Sequence, residues 1–281
     1  MEDFTQKTKE KNRFKFGKNW KEFLKSLNQQ KINFSKRSLL DFLGEKDLND
    51  KTFLDIGSGS GLSSLAAKIA GAEVYSFDYD NDSVACTEHL KHTYFSDDSK
   101  WEIKQGSALD AKYLASLGKF DIVYSWGVLH HTGDMFKALE LIEQNVAENG
   151  KLFISLYNDQ GFTSKFWHSI KRTYVNSPYL IKQFILFICY FRLWGPTTVK
   201  DFIKLRPFYT WKEYGRQRGM SPRQDVVDWV GGYPFEVSKP EEIIHFFIQK
   251  DFHHFLLYHN HIFYILKYSL QLIIQTRWLQ L

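Results

Sequence analysis

Residues 53–62, Phe-Leu-Asp-Ile-Gly-Ser-Gly-Ser-Gly-Leu, constrain this chain more than any other stretch. A short apolar run reads as a buried strand. Three glycines at alternate positions follow it, and then a second apolar segment (62–70) that reads as a helix ending at Gly71. Glycine has no Cβ, so backbone N–H groups in such a turn come close to a ligand. The helix beginning at Leu62 adds the positive end of its dipole. Spacing narrows the ligand. A dinucleotide fingerprint needs Gly or Ala at the sixth position from Gly57, where Leu62 stands, and no Gly-Lys-Ser/Thr follows for a phosphate loop.

The same alternation continues to Tyr157. Residues 52–56, 73–77, 101–105, 120–125 and 151–156 read as strands, and 62–70, 82–95 and 134–148 as helices. Strands separated by helices of ten or so residues predict right-handed βαβ units and a parallel sheet covered on both faces. In such sheets ligands sit beyond the carboxyl ends of the strands, where the strand order reverses. After Tyr157 the rhythm stops. Residues 161–238 read as helical, basic and aromatic, and 240–251 as an amphipathic helix entered through Lys239-Pro-Glu-Glu. The organisation expected is an N-terminal helical cap (1–50), an α/β core (51–160), a helical insertion folded over the site (161–238), and a C-terminal part completing the core (239–281).

Polar residues gather at the strand ends. Asp78, twenty-one residues after Gly57, closes the second strand, where a carboxylate accepts hydrogen bonds from both hydroxyls of a ribose. The other reading is an acid favouring the dipole of the next helix. The third strand runs into Gln105-Gly-Ser-Ala-Leu-Asp110, in which Ser107 can donate or accept one hydrogen bond. The fourth ends in Ser125-Trp126-Gly-Val-Leu-His130-His131. Trp126 reads either as a core residue or as a ring facing a cation. His130 and His131 read as structural loop residues or as a base. The fifth ends in Tyr157-Asn158-Asp-Gln-Gly161, either a turn or a recognition surface.

Taken together, the glycine turn, the Asp78 region, the Trp126–His131 segment and Trp229-Val-Gly-Gly-Tyr-Pro-Phe-Glu236 resemble the class I S-adenosylmethionine (SAM)-dependent methyltransferases. The group resembled is often labelled by similarity to ubiquinone-biosynthesis methylases. The resemblance runs from about Arg13 to Phe252 and includes Phe14-Lys-Phe-Gly-Lys-Asn-Trp20. It implies a Rossmann-like, doubly wound, mostly parallel seven-stranded sheet whose last strand is antiparallel, with a helical lid. It implies SAM as cofactor, held by Asp55, Gly57, Ser58, Gly59, Gly61, Asp78, Tyr79, Ser107, Ala108, Ser125 and Trp126. His130 and His131 become candidate bases, and Tyr157, Asn158 and Trp20 candidate contacts to the methyl acceptor. No metal is implied. One departure stands out: the group's Gly-Cys-Asn-Glu-Phe pattern near the end is replaced here by residues 253–267, rich in His and aromatics.

Charge bears on the partner. The chain carries a net +5, yet the first forty residues hold 11 Lys/Arg against 4 Asp/Glu, and residues 161–223 hold 12 against 2. The remainder is net acidic. Such asymmetry fits either a solvated helical surface or an anionic partner. The expectation is a small-molecule acceptor, a sugar, a quinone-like compound or another metabolite carrying a phosphate. The alternatives are an RNA methyltransferase, a SAM-binding protein without turnover, and a protein in peripheral contact with a membrane. Two distant cysteines and a charged start without an apolar core predict a reduced, cytoplasmic setting. The longest apolar run, 184–191, is too short to span a bilayer, which takes about 20 residues.

Overall fold

The computed structural model describes residues 14, 16–96, 98–218, 222–250, 252, 254–258 and 269–275. It is an α/β Rossmann-like fold built on five parallel strands: β1 (Thr52–Ile56), β2 (Glu73–Asp78), β3 (Trp101–Gln105), β4 (Phe120–Trp126) and β5 (Val146–Tyr157). Their order is β3-β2-β1-β4-β5. The chain steps outward from β1 to β3, then returns to the other side of β1 with β4. The order therefore reverses between β1 and β4, which opens a crevice at their carboxyl ends.

Both faces are covered, so the central strands β1 and β4 are buried along most of their length, while β3 at the edge keeps exposed Glu102, Lys104 and Gln105. Leu54, Ile56, Val123, Leu152 and Ile154 pack with Leu129, Leu139, Ile243 and Phe247 on one side. Phe53, Val74, Ile122, Tyr124 and Phe153 pack with Leu39, Leu43, Leu65 and Trp101 on the other. The second layer is made by α1 (Phe16–Leu24), α2 (Gln29–Leu43), α3 (Leu62–Ile69) and α4 (Asn81–Tyr94). The first is made by α5 (Ala111–Leu117), α6 (Met135–Glu143) and, further on, α11 (Pro240–Ile248). Short acids start three of these helices, Asp80, Asp110 and Asp134 each accepting a backbone N–H of the first turn.

Between β5 and α11 the chain forms α7 (Phe162–Asn176), α8 (Tyr179–Ile203), α9 (Tyr209–Arg218) and α10 (Pro222–Gly231). They share a separate apolar cluster centred on Trp167, Tyr174, Trp194, Val226 and Phe235, against which Tyr157 and Trp229 pack.

Three expectations are corrected. The helix expected over 134–148 stops at Glu143, because residues from Val146 already belong to β5, where Val146 pairs with Phe120. Asn145 turns the chain, its side chain donating to the carbonyls of Leu114 (2.8 Å) and Gly118 (2.7 Å). The helix expected over 240–251 ends at Ile248. Finally, the sheet does not end beyond β5 as expected. The backbone of His254–Tyr258 and Ser269–Gln275 pairs beyond β5, but both ladders run parallel, where an antiparallel last strand was expected. Most of the departing stretch 253–267 lies outside the described residues.

Candidate active site

The glycine turn owes its shape to backbone that side chains disfavour. Gly57, Gly59 and Gly61 all have positive φ (76°, 57° and 79°). A Cβ on Gly57 would stand 2.4 Å from Val128, and one on Gly61 2.7 Å from the Thr87 backbone. The turn is pinned to β2, since Gly57 and Ser58 donate to the Phe77 carbonyl at 2.8 and 3.1 Å. Gly59 N–H donates to Asp78 Oδ2 at 2.9 Å, and Asp80 N–H to Oδ1 at 2.8 Å. Ser58 is buried, its hydroxyl 2.9 Å from that of Thr87.

Asp55 sits differently from the rest of the turn. Its carboxylate is 2% exposed and accepts from Ser64 Oγ. Ser64 in turn accepts from Ser76 (2.8 Å), and Ser76 from Trp101 Nε1 (3.0 Å). Burial lifts the Asp55 carboxyl to about 7; the Ser64 bond works against that and the charge of Asp78 with it. The geometry makes Asp55 an internal brace between β1, α3 and β2.

At the adjacent strand ends, Tyr79 is partly exposed and its carbonyl accepts from Gln105 Nε2 at 3.1 Å. Ser107 Oγ accepts from Leu109 N–H (3.2 Å), and Ala108 is buried. Ser125 is buried and ties β4 to β1 through the Ile56 carbonyl at 3.1 Å. Trp126 ends a ladder of rings, stacked on Tyr124 and Phe153 and tilted against Phe42, while remaining 36% exposed.

The two histidines form a 3₁₀ turn, Leu129–His131. His130 is buried against the ring of Tyr157, centroids 3.8 Å apart, and neither of its nitrogens has a hydrogen-bond partner. Burial, with His131 and Lys171 nearby, holds its imidazole well below the ordinary value, so it is neutral at pH 7. His131 Nδ1 lies 2.6 Å from the Pro234 carbonyl. A carbonyl only accepts, so Nδ1 carries the proton and Nε2 is the lone-pair nitrogen of the neutral ring. Beside them, Asn158 Oδ1 and Ser155 Oγ are buried without partners. The Asn158 backbone bridges to Ser238.

Several residues of this site were not singled out from the sequence. Glu236 accepts from Gly133 N–H (3.0 Å) and Met135 N–H (3.1 Å), clamping the loop after the histidines. Its carboxyl is raised, by burial first, with those two bonds opposing. Lys171 is fully buried, donates to the Trp229 carbonyl and lies 3.9 Å over the Trp229 ring and 4.8 Å over Phe235. Burial lowers its ammonium to about 7, against the pull of Asp228. In the sequence it is indistinguishable from exposed Arg172 beside it. On α1, Gly17 N–H donates to Asp80 (3.0 Å) and Asn19 to Asp228 (3.2 Å), so this helix straps the glycine-loop side to α10. Trp20 lies on the glycine turn, its indole nitrogen 3.1 Å from where a Gly59 Cβ would be. Among the described residues no group of three or more His, Cys, Asp or Glu is placed to hold a metal ion.

A parallel sheet with this strand order, a three-glycine turn after β1 and an acid closing β2 defines the class I methyltransferase architecture. A family model described as a methyltransferase domain matches residues 27–195, more than half of the chain, and the chain belongs to that family, whose cofactor is SAM. Among curated relatives, the ribosomal protein L11 methyltransferase of Helicobacter hepaticus is 30% identical over 118 residues, 41% of this chain and 35% of the relative. That of Prochlorococcus marinus is 40% identical over 87 residues, 30% of this chain and 28% of the relative. The chain thus spans well under half the length of these relatives. A solved structure of PKMT2 from Rickettsia typhi shares the fold, with a TM-score of 0.50 at 18% identity, covering 78% of this chain and 42% of that one. No helix among the described residues is long and apolar enough to cross a membrane.

Proposed function

We propose that this protein transfers the methyl group of SAM to a small-molecule acceptor that enters beneath the helical block 161–238. The observation carrying this reading is a turn of three positive-φ glycines, tied through the Gly59 N–H to the Asp78 carboxylate at the mouth of the switch-point crevice. When bound, SAM supplies a methyl on a positively charged sulfur. The chain's residues do the rest. Gly57, Ser58, Gly59 and Gly61 offer bare backbone to the cofactor, and Asp78 exchanges its backbone donors for ribose hydroxyls. Tyr79, Ser107 and Ala108 border the adenine. Ser125 and Trp126 mark the β4 end beside the methionine portion, with the Trp126 face available to the sulfonium at about 0.5–2 kcal/mol. Asp55 acts from behind, holding β1 to the first turn of α3.

On the acceptor side, the orphaned atoms of His130, Ser155 and Asn158 cluster at the ends of β4 and β5. Buried polar groups left without partners call for an explanation, and a hydroxyl-bearing acceptor provides one. His131, with Nδ1 engaged and Nε2 basic, is the better suited of the two histidines to take a proton. Most of the acceleration comes from aligning donor and acceptor in line. The block 161–238 serves as the lid, 1–50 as a cap over the glycine turn through Trp20, and 254–258 with 269–275 extends the sheet toward seven strands.

The relatives named for ribosomal protein L11 raise a protein acceptor as the second reading. Their matched segments cover at most 41% of this chain, so they do not carry the acceptor over. RNA is less favoured, and binding without turnover is the reading to exclude. Purified protein, isotope-labelled SAM and fractionated cell extract decide among these. A labelled metabolite supports the proposal; label in protein or RNA, or none at all, moves it to an alternative.

A further inference from the structure

Helix α8 turns outward a face that the fold does not use. Leu180, Phe184, Phe187, Ile188 and Phe191 recur at intervals of three and four and share one stripe, each between 52% and 80% exposed. At 1.5 Å per residue the stripe is about 16 Å long. Cys189, Trp194 and Thr197 of the same helix are buried, and the helix packs against α7, α9 and α10. Packing is thus satisfied on one side, and the aromatic stripe faces solvent with no counterpart among the described residues. Contiguous apolar surface of this kind marks an interaction site.

What surrounds the stripe identifies its partner. Arg192, next to Phe191, is exposed, and the block 161–223 that carries the stripe holds 12 Lys/Arg against 2 Asp/Glu. A helix with large apolar side chains on one face, set in so basic a block, fits a bilayer interface, apolar face in the acyl boundary and cations on anionic headgroups. We propose that α8 docks lengthwise on an anionic lipid surface. A second copy of the chain would bring the same positive field against itself. A nucleic acid would meet the cations and leave the phenylalanines in water. The inference goes beyond methyl transfer and does not rest on it. Its consequence for the site is geometric: α7 runs from the end of β5 to α8, so the acceptor's entry is tied to the docking face by one helix.

The test uses the full chain and vesicles of phosphatidylcholine, alone or with about 30% phosphatidylglycerol. Co-sedimentation should be at least about tenfold stronger on the anionic vesicles and weaken as salt is added. The double variant Phe184→Glu, Phe187→Glu should lose about tenfold of that binding. Both side chains are more than half exposed, so its circular dichroism and melting temperature should stay those of the wild type. Sedimentation no greater with anionic vesicles than without them would overturn the proposal, as would a double variant that binds like the wild type. A dimer in solution that the same variant disperses would assign the stripe to a second copy and also overturn it. None of these readouts depends on SAM, so failure here is distinct from failure of the methyltransferase reading.

Discussion

Gly59 and Asp78 meet across the mouth of the crevice, the Gly59 N–H donating to the Asp78 carboxylate at 2.9 Å. The contact joins the two sequence motifs nineteen residues apart into one unit, and it holds only while position 59 keeps its left-handed backbone. A valine there would face φ +57° and a Cβ 3.1 Å from the Trp20 indole. Strain of this kind costs about 1–3 kcal/mol. Gly59→Val should therefore lower the melting temperature modestly and weaken SAM binding by at least about tenfold, as each 1.4 kcal/mol is a factor of ten. Calorimetry and thermal denaturation on one preparation check both.

Asp55 gives a pH-dependent prediction with a definite sign. Its carboxyl titrates near 7 in the folded chain and near the ordinary carboxylate value when unfolded. Between those limits the folded state holds a proton that the unfolded state has lost. Its contribution is therefore present at low pH and is lost as pH rises through about 7. An asparagine does not titrate. The stability of Asp55→Asn relative to wild type should rise between pH 5 and 7, by up to about 1.4 kcal/mol per pH unit, and level off above. Urea denaturation across that range reads it; a constant gap contradicts it.

His130 separates stability from function. Both its nitrogens are buried without partners, and replacing such a group by an apolar one of similar shape is neutral or stabilising. His130→Phe should melt at or above the wild-type temperature while methyl transfer falls. If activity and SAM affinity are both untouched, the site assignment at the β4 end is wrong.

His131→Gln keeps a donor near the Pro234 carbonyl and removes the basic nitrogen. If the acceptor loses its proton to His131, turnover should fall by about 10²–10⁴ with SAM affinity retained. A loss of SAM affinity alone would give His131 a binding role instead.

Glu236→Gln tests the clamp on the histidine loop. The carboxylate accepts two backbone N–H groups, and the amide has one oxygen to offer them. Hydrogen bonds to a charged group are worth about 1.5–3 kcal/mol. The variant should lose stability on that scale and show reduced turnover. A melting temperature equal to wild type would remove the clamp from the account.

Much of the core was legible because it rests on local chemistry. The glycine turn, the spacing to Asp78, the apolar run at Thr52–Ile56 and the alternation at Trp101–Gln105 each follow from backbone sterics or periodicity within a few residues. What was not legible depends on distant partners. Asp55, expected among the residues that hold SAM, has its carboxylate engaged by Ser64, and Ser64 by Ser76 and Trp101, none of them a neighbour in sequence. Lys171 reads like one more surface cation until Trp229 and Phe235 enclose it. Trp20 reads as one more aromatic of a basic N-terminus until the bonds of Gly17 and Asn19 on its own helix set it on the glycine turn. The end of α6 failed for a subtler reason: residues 144–148 were read as helix, and the pairing of Val146 with Phe120 overrides that.

Isothermal titration of SAM into the wild type and into Asp78→Ala tests the central claim most directly. The variant removes the carboxylate proposed to hold the ribose and leaves the Gly59 and Asp80 N–H groups without it. Wild type should bind SAM, and Asp78→Ala should bind it at least about tenfold more weakly, the loss expected for hydrogen bonds to a charged group. Equal affinity in the two proteins, or no binding by the wild type, would contradict the account.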